Sequence, residues 1–125
     1  MKKNILLHTG RILLALYFFI PGIGKFISWD RSVALMEAHN MQMIPILLAT
    51  AAIAQVAGSI SLLLNKYVVT CALGFALMTV LINLNLHDFW NTYEGVNSAR
   101  ETQNFYKNLG IFAGLLLLAA AYLEE

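Results

Sequence analysis

Four long apolar stretches restrict what this chain can fold into more than any other feature of its sequence. They cover about residues 5–26, 44–64, 67–86 and 105–123. As helices rising about 1.5 Å per residue, stretches of this length cross a hydrocarbon core of about 30 Å. Hydrophobic residues make up 59% of the 125 residues and charged residues 12%, half the roughly 25% that soluble domains carry. The sequence therefore predicts an all-α integral membrane four-helix bundle, forming a single domain over residues 1–125.

The segment between the first two stretches, residues 28–42, has a different character. Its apolar residues fall on one side of a helix, and most of its charged residues fall elsewhere. This pattern predicts a short amphipathic helix at the membrane interface, with Ser28 as N-cap and Trp29 as an interfacial anchor. We expect His39 to lie on the surface of this helix. An ordered loop is the alternative.

The first apolar stretch carries three features that need an explanation in lipid. Pro21 cannot donate a hydrogen bond to the carbonyl of Tyr17, so a bend is predicted there. Arg11 lies about two turns into the helix, and we expect its side chain to snorkel to the headgroups. Lys25 closes the stretch, and a lysine at the end of a membrane helix is costly unless it has a use.

Four spans place both chain ends on one side of the membrane, together with the turn at Asn65 and Lys66. Lysine and arginine number four on each side, so the positive-inside rule does not decide the orientation. Because Lys2 and Lys3 lie directly before the first span, we expect the termini in the cytoplasm. The longer, more polar loops then lie at the outer end of the bundle.

Small and polar residues recur at helical spacing along one side of each stretch, as expected for helix faces that point into a membrane bundle. The predicted inward stripes are Arg11, Ala15, Phe18, Gly22 and Lys25; Gln55, Gly58, Ser59 and Leu62; Ala72, Ala76, Thr79, Asn83 and His87; and Lys107, Gly110, Gly114, Leu118 and Ala121. Gly110 and Gly114 also form a GxxxG pattern, which fits either packing within the bundle or a homodimer interface.

The polar members of these stripes predict a partly polar pocket that opens toward the outer end. We expect Lys25, Asn83, His87 and Lys107 to line this pocket, with Gln55 deeper. Simpler interpretations remain for each of them. The two lysines would snorkel to headgroups, the two amides would only hydrogen-bond neighbouring helices, and His87 would only end a helix.

Several kinds of chemistry find no support in the sequence. The chain has no basic cluster, which argues against nucleic-acid binding. Cys71 is the only cysteine, so neither an intrachain disulfide nor a CxxC redox pair can form. His8 and His87 lie near opposite ends of the bundle, which does not suit a bis-histidine haem, and no metal-ligand spacing is present. We expect neither a metal nor a covalently bound cofactor.

The order and spacing of several short motifs resemble those of the DoxX family of small four-span bacterial membrane proteins. The motifs are Gly10-Arg11 and residues 22–26 (GIGKF), 54–64 (AQVAGSISLLL), 87–90 (HDFW) and 107–114 (KNLGIFAG). The resemblance implies a bacterial inner-membrane protein near quinones or redox proteins, since founding members resemble a subunit of a thiosulfate:quinone oxidoreductase. Relatives often have a glutamate where this chain has Gln55, and any proton transfer by that carboxylate is lost here.

Two functional hypotheses follow. In the first, the chain is a redox-associated subunit in which Lys25, His87 and Lys107 bind a quinone headgroup or an anionic substrate, and a redox partner protein supplies the redox centre. In the second, the chain is a non-enzymatic binding or assembly protein for a partner or a lipid-like ligand. The sequence contains no recognisable catalytic constellation, so it leaves open whether the chain is an enzyme. A channel or transporter is a weaker third reading, because the spans hold few charges.

Overall fold

The protein is described here by a computed structural model over residues 2–123. Met1, Glu124 and Glu125, which the predicted domain includes, lie outside the described residues. The helices are α1 (Lys2–Ile27), α2 (Trp29–Ala38), α3 (Ile44–Leu63), α4 (Val68–Leu86) and α5 (Ser98–Leu123).

The predicted all-α membrane architecture is confirmed. Helices α1, α3, α4 and α5 are each long and apolar enough to cross a membrane, and residues 2–123 contain no strand. Large apolar side chains cover the outside of the bundle, as at Leu6 and Leu117, which are both 72% exposed. Such a surface requires hydrocarbon around it, so the chain is a multi-pass membrane protein in contact with the bilayer.

Helix α2 confirms the predicted short helix between the first two spans, but its details differ from the prediction. The Ser28 side chain makes no capping hydrogen bond. The backbone continues almost directly from α1, since the Ser28 amide donates to the Gly24 carbonyl at 2.7 Å. The expectation that His39 lies on the surface is wrong. His39 is 5% exposed, because the end of α2 packs down against the polar loop after α4.

Helix α5 begins earlier than the sequence indicated. The fourth apolar stretch begins at about residue 105, yet residues 98–104 are already helical. The Asn97 side-chain oxygen explains the early start, because it accepts hydrogen bonds from the amides of Ala99 and Arg100 at 3.0 and 3.2 Å. These are two of the amides that a helix N-terminus leaves without partners.

The four long helices form two close pairs, α1 with α3 and α4 with α5. Gly22 lets α1 approach α3, since a Cβ atom there would lie 2.9 Å from the Cβ of Gln55. Gly58 makes room for the ring of Phe75 in the same way. That ring stacks on Phe18 with centroids 4.2 Å apart, which joins the two pairs across the centre of the bundle.

The bundle has two distinct ends. The start of α1, the end of α3 and the end of α5 meet at what we call the terminal end, and α2 with residues 87–97 forms the loop end. Arg11 lies at the terminal end and is 5% exposed. It donates to the Leu62 carbonyl at 2.9 Å, to the Tyr122 hydroxyl at 3.0 Å and to Nδ1 of His8. The expectation that Arg11 snorkels to the headgroups is therefore wrong.

The predicted inward stripes hold for α1 and α4 but not for α5. Ala15 and Phe18 are buried in α1, and Thr79 and Asn83 are buried in α4. In α5, by contrast, Lys107 and Gly110 are exposed. The buried residues of α5 are Glu101, Asn108, Leu115, Leu118 and Ala119, of which only Leu118 belongs to the predicted stripe. The GxxxG pattern does not mark the buried face of α5, since nothing lies within 4 Å of a Cβ placed at Gly110.

Candidate functional site

A cleft of about 1230 Å³ opens between the two helix pairs toward the loop end. One wall comes from residues 13–25 of α1 and 47–55 of α3, and the other from residues 74–87 and 104–108. Side chains of α2 also contribute to the lining. Most lining residues are leucine, isoleucine, methionine and other apolar types. A cleft of this size and character is typical of sites for apolar small molecules.

A layer of hydrogen-bonded polar side chains crosses the bundle beside this cleft. The Tyr17 hydroxyl donates to Oδ1 of Asn108 at 3.0 Å, and the Asn108 amide donates to Oδ1 of Asn83 at 3.1 Å. The Asn83 amide in turn donates to the Phe105 carbonyl at 3.1 Å. One relay of donors therefore joins α1, α5 and α4 and satisfies the two buried asparagines.

Gln55 adds the fourth long helix to this layer but is only half satisfied. Its Nε2 atom donates to the Phe18 carbonyl at 3.3 Å, which fixes the orientation of the amide. Its Oε1 atom is buried and has no hydrogen-bond partner among the described residues. An acceptor buried without a donor costs about 1–3 kcal/mol. Gln55 lines the cleft, so a ligand there that carries a hydroxyl or amine would supply the donor that is lacking.

Four of the five residues predicted from sequence line this cleft: Lys25, Gln55, His87 and Lys107. Asn83 does not line it, and acts instead through its bond to Asn108, which does. The sequence prediction missed three polar residues, Tyr17, Asn108 and Glu101. A usable signal existed in α5, because Glu101, Asn108 and Leu115 are spaced by seven residues and so share one helix face.

His87 connects the cleft to a group of polar side chains at the loop end. Its Nδ1 atom lies 2.7 Å from Oε2 of Glu101, which is 8% exposed. On the other side of Glu101, Nε2 of His39 lies 3.8 Å from the same oxygen. Two histidines from different segments of the chain thus converge on the carboxylate of Glu101.

A second, smaller pocket of about 370 Å³ lies beside this group. His39 forms part of its lining, together with Asp88, Tyr93 and others. We call it the outer pocket. Burial raises the pKa of Asp88, but the hydrogen bonds from Asn91 and Tyr93, at 3.0 and 2.5 Å, outweigh this and hold it below its ordinary value. The same bond to the Asp88 carboxylate raises the pKa of Tyr93. Asp88 is thus a carboxylate at neutral pH, with Oδ1 left unpartnered among the described residues.

Across residues 2–123, no group of three or more histidine, cysteine, aspartate or glutamate residues is arranged to hold a metal ion.

The comparison with family models decides the family. The DoxX model matches residues 6–88, about two thirds of the chain. This chain belongs to the DoxX family. The match covers α1 to α4 and ends at Asp88, so the motif at residues 107–114 lies outside it, as do Glu101 and Asn108. Comparisons with curated proteins and with solved structures found no match.

Proposed function

We propose that this DoxX family protein binds a quinone-class ligand in the cleft between its helix pairs and serves as the membrane subunit of a quinone-linked oxidoreductase. The single observation that supports this best is the unpartnered Oε1 atom of Gln55 in the lining of a large, mostly apolar cleft. An isoprenoid tail suits the apolar walls, and a polar headgroup suits the layer around Gln55.

The chemistry of Gln55 favours the reduced form of the ligand. A quinone carries only acceptor oxygens, whereas a quinol carries hydroxyl groups that donate. Because Nε2 is already committed to the Phe18 carbonyl, the free atom of Gln55 is an acceptor, and only the quinol satisfies it. Lys25 and Lys107, which also line the cleft, provide donors for the second oxygen or for an anionic substrate.

The remaining parts of the proposal come from the family and the charge pattern. The protein resides in a bacterial inner membrane with its terminal end in the cytoplasm, so the cleft opens toward the outer face. A partner protein carrying the redox centre docks at the loop end and exchanges electrons with the bound ligand.

The test measures binding of a short-chain ubiquinol and the matching ubiquinone to the protein in nanodiscs. Loss of one buried hydrogen bond is worth about tenfold in affinity, so Gln55→Leu should weaken quinol binding by about that factor and quinone binding less. Lys25→Ala should weaken both forms. Gln103→Leu and Lys66→Ala, at exposed positions, serve as matched controls. Equal affinity of wild type and Gln55→Leu for the quinol would remove the proposal.

A non-enzymatic lipid-binding role is the second candidate, because the cleft walls are mostly apolar and accept acyl chains as readily as an isoprenoid tail. Mass spectrometry of lipids retained after gentle purification separates the two functions. Enrichment of one phospholipid or fatty acid, with no displacement by quinol, favours the lipid role. Displacement of all retained lipid by quinol favours the redox role.

A further inference from the structure

Three titratable side chains at the loop end have no role in the ligand layer, and two of them, His39 and Glu101, are buried while His87 is partly exposed. Glu101 lies between two histidines, with its Oε2 atom 2.7 Å from Nδ1 of His87 and 3.8 Å from Nε2 of His39. His39 comes from the end of α2, His87 from the end of α4 and Glu101 from the first turn of α5. Buried groups of this kind are costly to keep unless they have a function.

The orientation of His39 is fixed by its backbone contact. Its Nδ1 atom lies 3.0 Å from the Leu35 carbonyl, which can only accept, so Nδ1 carries the hydrogen. The Nε2 atom therefore takes up and gives up the exchangeable proton. It is buried, has no hydrogen-bond partner among the described residues, and has the Glu101 carboxylate as its near neighbour.

The two histidines open onto different spaces. His87 lines the cleft, whereas His39 lines the outer pocket together with Asp88. Glu101 contributes to neither lining and lies between them. The three side chains are thus the titratable connection between a cleft in the membrane region and a pocket at its edge.

We propose that His87, Glu101 and His39 form a proton relay between a ligand in the cleft and the outer pocket. This inference rests on the proposed function, because it assumes an ionisable ligand in the cleft. The ligand hydroxyl gives its proton to Nε2 of His87 while Nδ1 of His87 passes its own proton to Oε2 of Glu101. The protonated Glu101 then gives that proton to Nε2 of His39. The His39 side chain is 1% exposed, so its ring turns toward the outer pocket to release the proton to water there. No electron moves in these steps. Glu101 and His39 return to their starting forms with each proton, and His87 regains its starting tautomer when its ring turns over or when a proton passes in reverse.

The surrounding charges suit this relay. Asp88 lines the outer pocket together with His39 and places a negative charge there, and the Tyr93 ring packs 4.8 Å from the His39 ring. Lys25 and Lys107 share the cleft lining with His87, where a positive charge favours release of the ligand proton. The 3.8 Å between Oε2 of Glu101 and Nε2 of His39 is longer than a hydrogen bond, whereas the 2.7 Å between Glu101 and His87 is not. A small rotation of the protonated Glu101 side chain brings its O–H within hydrogen-bond distance of Nε2 of His39.

The test uses an alkylated hydroxynaphthoquinone, whose enolate and neutral forms differ in colour, bound to the protein in nanodiscs. A stopped-flow pH jump then reports how quickly the bound dye exchanges its proton with bulk water. Glu101→Gln keeps the shape of the side chain but cannot carry the proton, so the rate should fall about 100-fold with little change in dye affinity. Glu94→Gln, at an exposed position, should leave the rate unchanged.

Two further measurements separate a relay from a purely structural role. Imidazole added to the buffer should restore a large part of the rate in Glu101→Gln, because a diffusible base replaces the missing carrier. His39→Gln should slow exchange as well, and this variant keeps the test sharp if Glu101→Gln does not fold. Normal dye binding with unchanged exchange rates in both variants would overturn the relay and leave the proposed function standing. Failure of the wild type to bind the dye would overturn both.

Discussion

Replacing Arg11 by methionine removes the side chain that ties the terminal end of the bundle together. Arg11 is 5% exposed and donates to Leu62 of α3, to Tyr122 of α5 and to His8 of its own helix. Methionine keeps most of the length and apolar volume of the arginine stem but none of its donors. The change therefore isolates the hydrogen bonds from the packing.

The expected loss follows from the number of bonds. Hydrogen bonds between membrane helices are worth about 0.6–1.7 kcal/mol each. If the bond to His8 within α1 is counted at the same value as the two between helices, the three bonds sum to about 2–5 kcal/mol. Two effects place Arg11→Met near the lower limit. A buried charge disappears, and the Leu62 carbonyl keeps its bond from the Asn65 amide at 3.1 Å. We expect a loss of about 2 kcal/mol in the free energy of unfolding, or about 30-fold in the equilibrium constant.

The assay is unfolding by SDS in mixed micelles, with the exposed Arg31→Met as the matched control. Arg11→Lys should be no more stable than Arg11→Met, because an ammonium group retains the charge but cannot fork toward two helices at once. A snorkelling arginine would behave differently. Surface substitutions usually change the free energy of unfolding by less than about 0.5 kcal/mol. If Arg11→Met stays within that range of the wild type, the hydrogen bonds of Arg11 do not hold the terminal end together.

Two further predictions concern the helix contact and the outer loop. Gly22→Leu should destabilise the protein by about 1–3 kcal/mol in the same assay, because even a Cβ atom there would lie 2.9 Å from the Cβ of Gln55 in α3. Gly110→Leu is the control and should be tolerated, because the space around Gly110 is open. Equal effects of the two substitutions would contradict the α1–α3 packing. Because the folded-state pKa of Asp88 lies below its ordinary 3.8, its carboxylate stabilises the loop above that pH, and this is lost as the pH falls through the folded value. Trp90 fluorescence should therefore report loosening below about pH 4 in the wild type and no such transition in Asp88→Asn.

The helices could be predicted from sequence because their cause is local. Each long apolar stretch satisfies its own backbone hydrogen bonds only as a helix when it crosses lipid, whatever its neighbours do. The inward sides of α1 and α4 could also be predicted from sequence, because Phe18 and Asn83 belong to runs in which small and polar residues recur at one helical spacing. These parts of the fold need no information from elsewhere in the chain.

The rotation of α5, the burial of His39 and the hydrogen-bond partners of Arg11 could not be predicted in the same way. Each depends on a partner far away in sequence: Asn108 on Asn83, Arg11 on Tyr122, and His39 on Glu101. Hydropathy reports that a polar residue is costly in lipid but not which distant group compensates it. The glycines at positions 110 and 114 favoured a different face of α5, because small residues also occur away from the buried side of a helix: Gly110 is exposed and Gly114 only partly buried.

The residues of the candidate site could also be predicted from sequence, whereas its shape could not. Lys25, Gln55, His87 and Lys107 were expected near one another because their stripes converge, and all four line the cleft. The width of the cleft was not predictable, since it arises from the close pairing of α1 with α3 and of α4 with α5. Pairing is a property of tertiary packing, and hydropathy contains no information about it.

Photolabelling with an azido-quinol in nanodiscs tests the central claim of a ligand in the cleft most directly. We expect labelled peptides from residues 13–21 of α1 and 74–86 of α4, with labelling abolished by excess unlabelled quinol and reduced in Gln55→Leu. Labelling spread over lipid-facing positions such as Leu6 and Leu117, and unaffected by competing quinol, would contradict it.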